Sequence, residues 1–450
     1  MRDEELRQGL SSLTGPVAQS VEPPDPRQLR ERGRRRRRRL LGGTVLALVV
    51  ALAGGAGLGA GLAGRQEPSP LTIGPASSGP APPTTLQAPP GSGPAVSSTA
   101  PPSTVAAPAA TLPLGKVEQL HAIQFVGGTG TGWAVGKGAI LATSDGGRTW
   151  GRVWSGSGVL RDVDFSSSSS GWALGDGVLL GTVDGGQHWR ALGQPRSGPL
   201  RRVHFSSRGE GWGVAGGSDQ AGEGPMLPQG ATTLVHTSDG GQTWSVLAAP
   251  APPQSVCFTA RGDGWLASGG RVWRSTDGGL SWGRRPSFTL PVPAGGPGYL
   301  AELQCAAPGA AWVCFSGGGA AAGHVPYALY TSRDGGAHWR GVLAEQGTLG
   351  QVLRLPAGPG SYPGPFSVID PGRAFLLSPT PPAGAVGAAM VSGGQVRRLP
   401  DVPGATLLTP LSASFASATH GWVAGSDAAG HAVILATRDG GRSWRSQLVS

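Results

Sequence analysis

The chain has 450 residues, which allows one large domain or several ordinary ones. Glycine (79 residues) and proline (41 residues) are abundant without a three-residue period, which favours low-complexity segments and a turn-rich β fold. The net charge of +10 is uneven, because residues 1–39 hold eleven arginines against six acids, and this distribution argues against nucleic acid as a partner. The eight histidines and three cysteines show no metal-ligand spacing, so we expect no metal and no cofactor.

A membrane anchor is predicted near the N-terminus. Residues 40–64 run for 25 positions without a charge, more than the ~20 residues that a helix needs to cross a bilayer. Arg34 to Arg39 directly precede this segment, and arginines at one end of a span keep that end in the cytoplasm. We therefore expect a basic cytoplasmic tail over residues 1–39 and a single transmembrane helix over residues 40–64. The rest of the chain would then be extracytoplasmic, at the cell membrane.

A cleaved signal peptide is the alternative interpretation of this segment, because it ends in small residues. Signal peptides are usually 15 to 30 residues long, whereas this one would need about 64. Within an uncleaved helix, Gly55 and Gly59 match small-xxx-small packing, which would support dimerisation.

A linker follows the predicted anchor. Residues 66–115 contain thirteen prolines and one charged residue, Glu67. This composition cannot bury a core and favours an extended, semi-rigid chain. We expect residues 65–115 to be a disordered stalk that holds the following domain away from the membrane.

From Lys116 onward the chain repeats a unit that has two recognisable parts. One part is Gly-Trp or Ala-Trp, at Gly132-Trp133, Gly171-Trp172, Gly211-Trp212, Gly264-Trp265, Ala311-Trp312 and Gly421-Trp422. The other is a turn, which reads TSDGGRTW at 143–150, TVDGGQHW at 182–189, TSDGGQTW at 237–244, STDGGLSW at 275–282, SRDGGAHW at 332–339 and TRDGGRSW at 437–444. Twelve of the fourteen tryptophans lie in these two parts, which identifies a true internal repeat.

The spacing of the repeat predicts the number of blades. Successive Gly-Trp positions are 39, 40, 53 and 47 residues apart, and a gap of 110 then indicates one decayed repeat. That repeat should lie over Phe366 to Leu399, with Gly372-Arg373-Ala374-Phe375 in place of Gly-Trp and Ser392-Gly393-Gly394 in place of the turn. Units of ~40 to 50 residues with four short strands each are typical of propeller blades. We therefore predict an all-β, seven-bladed β-propeller over residues 116–450.

The two motifs resemble the Asp-box, or BNR, repeat of sialidases, sortilin-type receptors, some glucanases and the photosystem II assembly factor family. The resemblance covers residues 116–450 and is greatest to the photosystem II assembly and stability factor-like family, which shares the seven blades, the Gly-Trp motif and the absence of an apparent catalytic set. It implies a scaffold that holds another protein. The anchor and stalk are not part of that family's usual layout.

The aspartates of the six turns have a structural explanation. An aspartate side chain can accept hydrogen bonds from backbone N–H groups just after it, and the two glycines permit positive φ. We therefore expect a structural role in the turn for Asp145, Asp184, Asp239, Asp277, Asp334 and Asp439. The tryptophans are expected to pack between strands.

One face of the propeller is predicted to bind a partner. In a four-stranded antiparallel blade, the second-to-third connection and the connection to the next blade leave on the side opposite the Asp-box turns. The longest connections are all of these two kinds, over 217–231, 283–299, 317–327 and 340–362, and insertions of this kind often mark a binding face. The binding residues expected there are Asp219, Glu223, Met226, Arg284, Arg285, Phe288, His324 and Tyr327.

The sequence favours a membrane-anchored, non-catalytic scaffold that binds protein, with a sialidase-like glycoside hydrolase or a glycan-binding receptor as the alternative. Sialidases have a Phe-Arg-Ile-Pro motif ahead of the first Asp-box, but no arginine occurs between Lys116 and Thr143. The nearest string, Val396 to Pro400, lies in the decayed repeat. Few carboxylate pairs remain once the turn aspartates are set aside. We therefore expect no catalytic residues.

The cysteines allow at most one disulfide. Cys305 and Cys314 lie nine residues apart on a predicted hairpin, close enough to meet. An odd separation can instead leave two side chains on opposite faces of a hairpin, so the sequence leaves this bond open.

Overall fold

The computed structural model describes residues 114–219, 228–259, 262–285, 288, 290, 299–317, 324–345, 353–380, 385–402, 409–427 and 429–449. The predicted cytoplasmic tail, transmembrane helix and nearly all of the predicted stalk lie outside these residues. Within the described ranges, no helix has the length and apolar character needed to cross a membrane.

Twenty-six β-strands form six antiparallel sheets in the described residues, and chain neighbours are sheet neighbours throughout. Sheet 1 contains β1 (Leu120–Phe125), β2 (Gly132–Thr143), β3 (Gly151–Phe165), β4 (Gly171–Gly175), β5 (Val178–Thr182) and β6 (Arg190–Ala191). Sheet 2 contains β7 (Leu200–Phe205), β8 (Gly211–Asp219), β9 (Pro228–Thr237) and β10 (Ser245–Val246). Sheet 3 contains β11 (Ser255–Phe258), β12 (Gly264–Ser268), β13 (Arg271–Ser275) and β14 (Gly283–Arg284).

The remaining three sheets also have four strands each. Sheet 4 contains β15 (Tyr299–Ala307), β16 (Ala310–Gly317), β17 (Tyr327–Ser332) and β18 (Arg340–Glu345). Sheet 5 contains β19 (Phe366–Asp370), β20 (Arg373–Thr380), β21 (Ala385–Ser392) and β22 (Gln395–Val402). Sheet 6 contains β23 (Thr409–Phe415), β24 (Gly421–Ser426), β25 (Ala432–Thr437) and β26 (Arg445–Val449). The all-β propeller is therefore confirmed.

The predicted count of seven blades is not what the sheets show, because six sheets are present in the described residues. Sheet 1 holds six strands and contains the first two sequence repeats. Its long strand β3 joins the last strand expected for the first repeat to the first strand expected for the second. Pairing continues across this junction, since Lys137 of β2 pairs with Val159 and Ala139 pairs with Ser155. The register shifts between these two pairs, and from Leu160 onward β3 pairs with β4 instead, so β3 is the strand that joins the two repeats in one sheet.

A phenylalanine and a glycine form the contact that recurs between the first two strands of a repeat. Phe205 at the end of β7 pairs with Gly211 at the start of β8. A Cβ atom on Gly211 would lie 2.3 Å from the Phe205 ring, too close for any substituent. Gly132, Gly171, Gly264 and Gly421 face the same restriction against Phe125, Phe165, Phe258 and Phe415. Glycine is therefore required wherever this phenylalanine is present.

The two repeats that lack this glycine also lack the phenylalanine. Ala311 pairs with Cys305 in sheet 4. Ala374 pairs with Val368 in sheet 5. The side chains of cysteine and valine are smaller than a phenyl ring and leave room for the alanine methyl group. The exceptions to the Gly-Trp motif therefore follow from packing.

The interface between neighbouring repeats, which we call a seam, is built around these rings. Trp212 stacks on Phe258 of the next repeat with ring centroids 4.0 Å apart, and its Nε1–H donates to the Gly278 carbonyl of that repeat's turn (2.8 Å). The same stack and bond join Trp133 to Phe165 and Gly185, Trp172 to Phe205 and Gly240, and Trp422 to Phe125 and Gly146. The last of these closes the ring between sheet 6 and sheet 1.

The disulfide links Cys257 of β11 to Cys305 of β15, with a Cα–Cα distance of 5.7 Å. It does not join Cys305 to Cys314, the pair considered from sequence. In the hairpin of β15 and β16, Cys305 is opposite Ala311, and Cys314 is opposite Glu302, so the two cysteines are out of register. Cys314 is a buried free thiol.

Candidate binding site at the mouth of the central channel

The innermost strand segments are joined in a closed ring around a central channel. At one register position, a side chain of each segment reaches the backbone of the next; for example, Gln124 Oε1 accepts from Phe165 N (2.6 Å), and Asp164 Oδ2 accepts from Phe205 N (2.5 Å). Four further steps are hydrogen bonds: His204 Nε2 donates to Phe258 O, and Gln304 Oε1, Ser367 Oγ and Ser414 Oγ accept from Val368 N, Phe415 N and Phe125 N. The remaining step is the disulfide between Cys257 and Cys305. Polar residues on these strands are thus used first to close the ring.

The channel contains a cavity of about 370 Å³ that is lined by all of these innermost segments. A second cavity of about 210 Å³ lies at one end and shares several lining residues with the first, including Asp162, Arg202 and Glu302. We call this second cavity the channel mouth, defined by His121, Arg161, Asp162, Asp176, Arg201, Arg202 and Glu302. It is a concave site lined by several charged side chains.

Charged side chains meet in the wall of the channel mouth. Arg202 Nη1 lies 4.0 Å from Asp162 Oδ2, with both side chains largely buried. Burial raises the pKa of Asp162, and the nearby Arg202 guanidinium opposes this rise. Burial likewise raises the pKa of Glu302, again against the influence of Arg202. The ionised forms of Asp162 and Glu302 are thus both stabilised by the same Arg202 guanidinium.

The outer part of the channel mouth is more polar and more exposed. Arg161 makes a two-pronged ion pair with Asp176, at 2.8 Å and 3.1 Å. Arg201 donates to the Gly217 carbonyl of β8 (3.2 Å). Burial, and then the neighbouring Arg161 charge, lowers the pKa of His121, whose Nε2 atom is buried without a hydrogen-bond partner in the described residues.

The channel mouth opens on the side opposite the Asp-Gly-Gly turns. In the four-stranded sheets the strands alternate in direction, so the second-to-third connection and the connection to the next sheet leave from the same side. The lining of the mouth comes from the beginnings of innermost strands, such as Leu200 of β7 and Phe366 of β19. We call this side the mouth side and the opposite side the turn side. The three longest connections between described strands, 285–298, 318–326 and 346–365, leave from the mouth side, as does the eight-residue connection 220–227.

The predicted binding residues are only partly at the surface. Arg284 is exposed at the end of β14, and Arg285 is half-buried with its Nε–H donating to the Gly283 carbonyl (3.3 Å). His324 Nδ1 lies 3.0 Å from Glu345 Oε1. Asp219 ends β8, but its side chain is outside the description, as are the predicted residues Glu223 and Met226.

Two of the predicted binding residues belong to the core instead. Tyr327 is fully buried, and burial raises its pKa. Its hydroxyl lies at hydrogen-bond distance from two acceptors, Gly360 O (2.9 Å) and Ser378 Oγ (3.0 Å). Phe288 packs edge-on against Phe315 and Tyr330, with centroids 4.7 Å and 5.1 Å away. Tyr327 is therefore a core residue, and Phe288 is partly buried against the core. A large ring gains more from burial in the core than from exposure in an insert.

The six turn aspartates share one hydrogen-bond pattern. Asp145 accepts from Thr149 N (3.0 Å), Thr149 Oγ1 (2.7 Å) and Thr143 Oγ1 (2.8 Å), while Thr143 Oγ1 also accepts from Gly147 N (3.0 Å). Gly146 and Gly147 adopt φ values of 75° and 80°, which only glycine adopts without strain. The backbone bond to the fourth residue recurs at Asp184, Asp239, Asp277, Asp334 and Asp439. These carboxylates are occupied within their own turns.

The residues compared with a sialidase site do not converge on the channel. Tyr330 is buried beside Phe288, and burial raises its pKa to about 12. Arg397 is an exposed residue of β22, and Arg398 donates to the Pro359 carbonyl (2.6 Å). Neither Tyr330 nor an arginine of this string lines either channel cavity.

Sequence reasoning missed the channel residues. Asp162, Arg202 and Glu302 lie on innermost strands, at positions where a half-buried strand usually alternates apolar and polar side chains. A signal was present, because aligning the strands on their closing phenylalanine places Asp162 and Arg202 at the same position. Only the closed ring shows that these positions meet in one cavity.

No protein-family model and no curated protein matches the sequence. Among solved structures, the chain is similar to an ancestral GH74 enzyme, with a TM-score of 0.50 and 13% identity over 75% of this chain and 47% of that chain. It is also similar to YCF48 bound to a D1 peptide (TM-score 0.47, 17% identity, 73% and 94% covered). A third similar structure is the GH74 enzyme of Niastella koreensis (TM-score 0.47, 11% identity, 75% and 67% covered). At these identities the likeness shows the β-propeller fold alone.

Proposed function

We propose that this protein is a membrane-anchored, extracytoplasmic propeller that acts as a non-catalytic scaffold and binds a protein partner at the channel mouth. One observation carries this proposal: the charged cavity opens on the same side from which the longest connections leave. A cavity on the side from which long connections leave can give a partner both a concave surface and variable loops to contact.

We further propose seven repeat units folded in six sheets. The seam between the two repeats of sheet 1 has the Trp133–Phe165 stack and the bond from Trp133 to Gly185, as do seams between separate sheets. The ring around the channel also takes seven steps, one for each repeat. Both features support a seven-part ring in which β3 serves two repeats.

The proposed location rests on the uncharged segment 40–64 and on the disulfide. Disulfides form and persist in oxidising compartments and are rare in the cytosol. The bond between Cys257 and Cys305 therefore supports a propeller held outside the cytoplasm. The proposed domains are the tail at 1–39, the anchor at 40–64, the stalk at 65–115 and the propeller at 116–450.

A capture experiment with matched charge reversals tests the binding side. The full-length chain serves as bait for detergent-solubilised membranes of its own cells, with Arg271→Glu changing the mouth side, at the β12–β13 connection, and Arg208→Glu changing the turn side. Both arginines are exposed, so both variants should keep their fold. We expect Arg271→Glu to lose the partners that wild type retains, while Arg208→Glu keeps them. Loss with Arg208→Glu alone would place the binding surface on the turn side.

A glycoside hydrolase is the second candidate, favoured by the raised pKa values of Asp162 and Glu302 in one cavity. Glycosidases use one protonated carboxyl group and one carboxylate at the scissile bond. The scaffold proposal expects the purified chain to release no sugar from a broad panel of glycosides and sialosides. Turnover that disappears in Glu302→Gln would establish the hydrolase instead, and glycan-array binding without turnover would indicate a glycan receptor.

A further inference from the structure

One step of the ring around the channel is covalent. Six of the seven steps are hydrogen bonds from a side chain to the backbone of the next segment, as from Gln124 to Phe165 and from Ser367 to Phe415. Counted back from the phenylalanine that ends each strand, Cys257 occupies the position of Gln124, and Cys305 occupies the position of Phe165. The disulfide therefore stands where the other steps place a hydrogen bond.

The same seam has lost its aromatic stack. Cys305 replaces the phenylalanine on which the preceding tryptophan would lie, so Trp265 has no stacked partner and contacts Trp339 edge-on at 5.5 Å. The Nε1–H of Trp265 is buried without a hydrogen-bond partner in the described residues, whereas that of Trp212 donates to Gly278. The disulfide thus takes over much of what rings and hydrogen bonds do at the other seams.

The noncovalent contacts that remain are distributed unevenly. On the turn side, Asp263 accepts from Arg274 Nε (2.7 Å) and from Gly309 N (2.5 Å), which holds sheet 3 to sheet 4. Within the channel, the bond from Leu303 N to Ser255 Oγ (3.0 Å) links β15 to β11. Loss of the disulfide would therefore leave the turn side bridged by the Asp263 carboxylate, and the channel side held by two neutral hydrogen bonds, Leu303 N to Ser255 Oγ and Gln254 Nε2 to Tyr299 O (3.3 Å).

Strand β15 connects this seam to the channel mouth. Glu302 and Gln304, which line the mouth, lie three residues and one residue before Cys305 on the same strand. A displacement of β15 at Cys305 would shift the backbone that carries both of these side chains. The disulfide is thus one residue along the strand from a side chain that lines the mouth.

We propose that the Cys257–Cys305 disulfide is a redox-sensitive lock that controls the channel mouth, the site on which the proposed function rests. A dithiol reductant supplies two electrons and two protons, Cys257 and Cys305 become thiols, and the reductant is oxidised to its own disulfide. The seam between sheets 3 and 4 then opens locally, because the Trp–Phe stack present at four other seams is absent there and the remaining channel-side bonds are two neutral hydrogen bonds. The rest of the ring stays closed.

Hydrogen exchange on the full-length chain tests this lock without a partner. The amides of β11 and β15 are compared before and after treatment with a dithiol, and a thiol count in denaturant reports whether one or three cysteines are free. We expect exchange in these two strands to rise about tenfold or more, while β7 next to the Trp172–Phe205 seam stays unchanged. The double variant Cys257→Ser, Cys305→Ser should show the same local rise without reductant.

A matched variant rebuilds the seam without cysteine. Cys257→Gln, Cys305→Phe and Ala311→Gly together restore the side-chain bond, the ring and the glycine found at other seams, and exchange should then ignore the reductant. Three outcomes would overturn the lock: a disulfide that the dithiol cannot reduce in the folded chain, a reduced chain with unchanged exchange in β11 and β15, or an equal rise in every strand. All three leave the capture experiment with Arg271→Glu unaffected, so the lock and the proposed function fail separately.

Discussion

At the scale of single residues, the turn carboxylates show how one side chain fixes a turn. The Thr243 hydroxyl and then the Thr243 backbone N–H lower the pKa of Asp239 to about 2. Ser281 and Ser443 have the same effect on the pKa values of Asp277 and Asp439. The turns therefore prefer the ionised form, and their bonds depend on it.

We predict that Asp239→Ala lowers the free energy of unfolding by about 1–3 kcal/mol at pH 7, because backbone donors lose their acceptor. The folded pKa of Asp239 is depressed below its ordinary value of 3.8, so its contribution is present above that value and is lost as the pH falls toward 2. The difference between wild type and variant in urea unfolding should therefore shrink between pH 4 and pH 2. A difference that is constant over this range would show that ionisation of Asp239 does not support the turn.

Two tryptophans allow a comparison of a seam that has the hydrogen bond and the stack with a seam that lacks both. The Nε1–H of Trp422 donates to the Gly146 carbonyl (3.1 Å), whereas that of Trp312 is buried without a partner in the described residues. The next repeat after Trp312 has lost its Asp-Gly-Gly turn and with it the usual acceptor. Phenylalanine at either position removes the same atoms.

We predict that Trp422→Phe lowers the free energy of unfolding by about 0.5–1.5 kcal/mol more than Trp312→Phe, since Trp422 loses a hydrogen bond and part of its stacked contact with Phe125. Denaturant unfolding of both variants, with the slope checked for a single transition, measures the difference. Equal losses at the two positions would mean that the seam bond and stack add nothing beyond burial of the indole ring.

The sequence predicted residues of the turns better than residues of the channel. An Asp-Gly-Gly turn is a local structure, so its aspartate and glycines can be assigned from neighbours along the chain. Asp162 and Glu302 are 140 positions apart and meet only because the ring closes. The burial of Tyr327 and the partial burial of Phe288 could not be predicted for the same reason, since both depend on packing with distant strands.

At the scale of elements, the repeat follows a packing rule between its first two strands. The phenylalanine that ends one strand requires glycine at the start of the next, and alanine appears only opposite Cys305 or Val368. This rule was not visible from the Gly-Trp motif alone, because the pairing register is needed to place each glycine against its phenylalanine. Strand continuity was also missed, since nothing in the Ser-Gly pattern at 155–158 shows that β3 runs through two repeats.

We predict that Gly211→Ala alone lowers the free energy of unfolding by about 1–3 kcal/mol, because its methyl group meets the Phe205 ring. In a Phe205→Val background, which copies the Val368 and Ala374 pair, the same change should cost much less. A double-mutant cycle in urea gives the coupling energy between the two sites. Additive losses would show that the ring does not set the glycine requirement.

At the scale of the whole molecule, the propeller repeats form a closed ring. Closure depends on contacts between the first and last repeats, where Phe125 N donates to Ser414 Oγ (2.9 Å) and Phe125 stacks on Trp422. The segment that leads into β1 is held there too, since Arg152 donates to the Leu114 carbonyl (3.0 Å) and the Lys116 carbonyl (2.9 Å). The chain thus joins the ring at a fixed place.

We predict that protease added to intact cells cuts in the stalk at 65–115 and leaves the N-terminal tail protected, because arginines 34–39 keep that end inside. Immunoblots with one tag before residue 40 and another after residue 450 measure both fragments. A soluble, processed protein that begins near Gln66 would instead establish a cleaved signal.

The most direct test of the proposed function places a photo-crosslinking amino acid on either side of the ring in living cells. Asp176 lies at the channel mouth with a half-exposed side chain, and Leu280 is 73% exposed on the turn side. After irradiation, the full-length chain is purified under denaturing conditions and its adducts are identified by mass spectrometry. We predict a discrete protein adduct from the position of Asp176 that is lost in the Arg271→Glu background, and none from the position of Leu280. An adduct from Leu280 alone would contradict binding at the channel mouth.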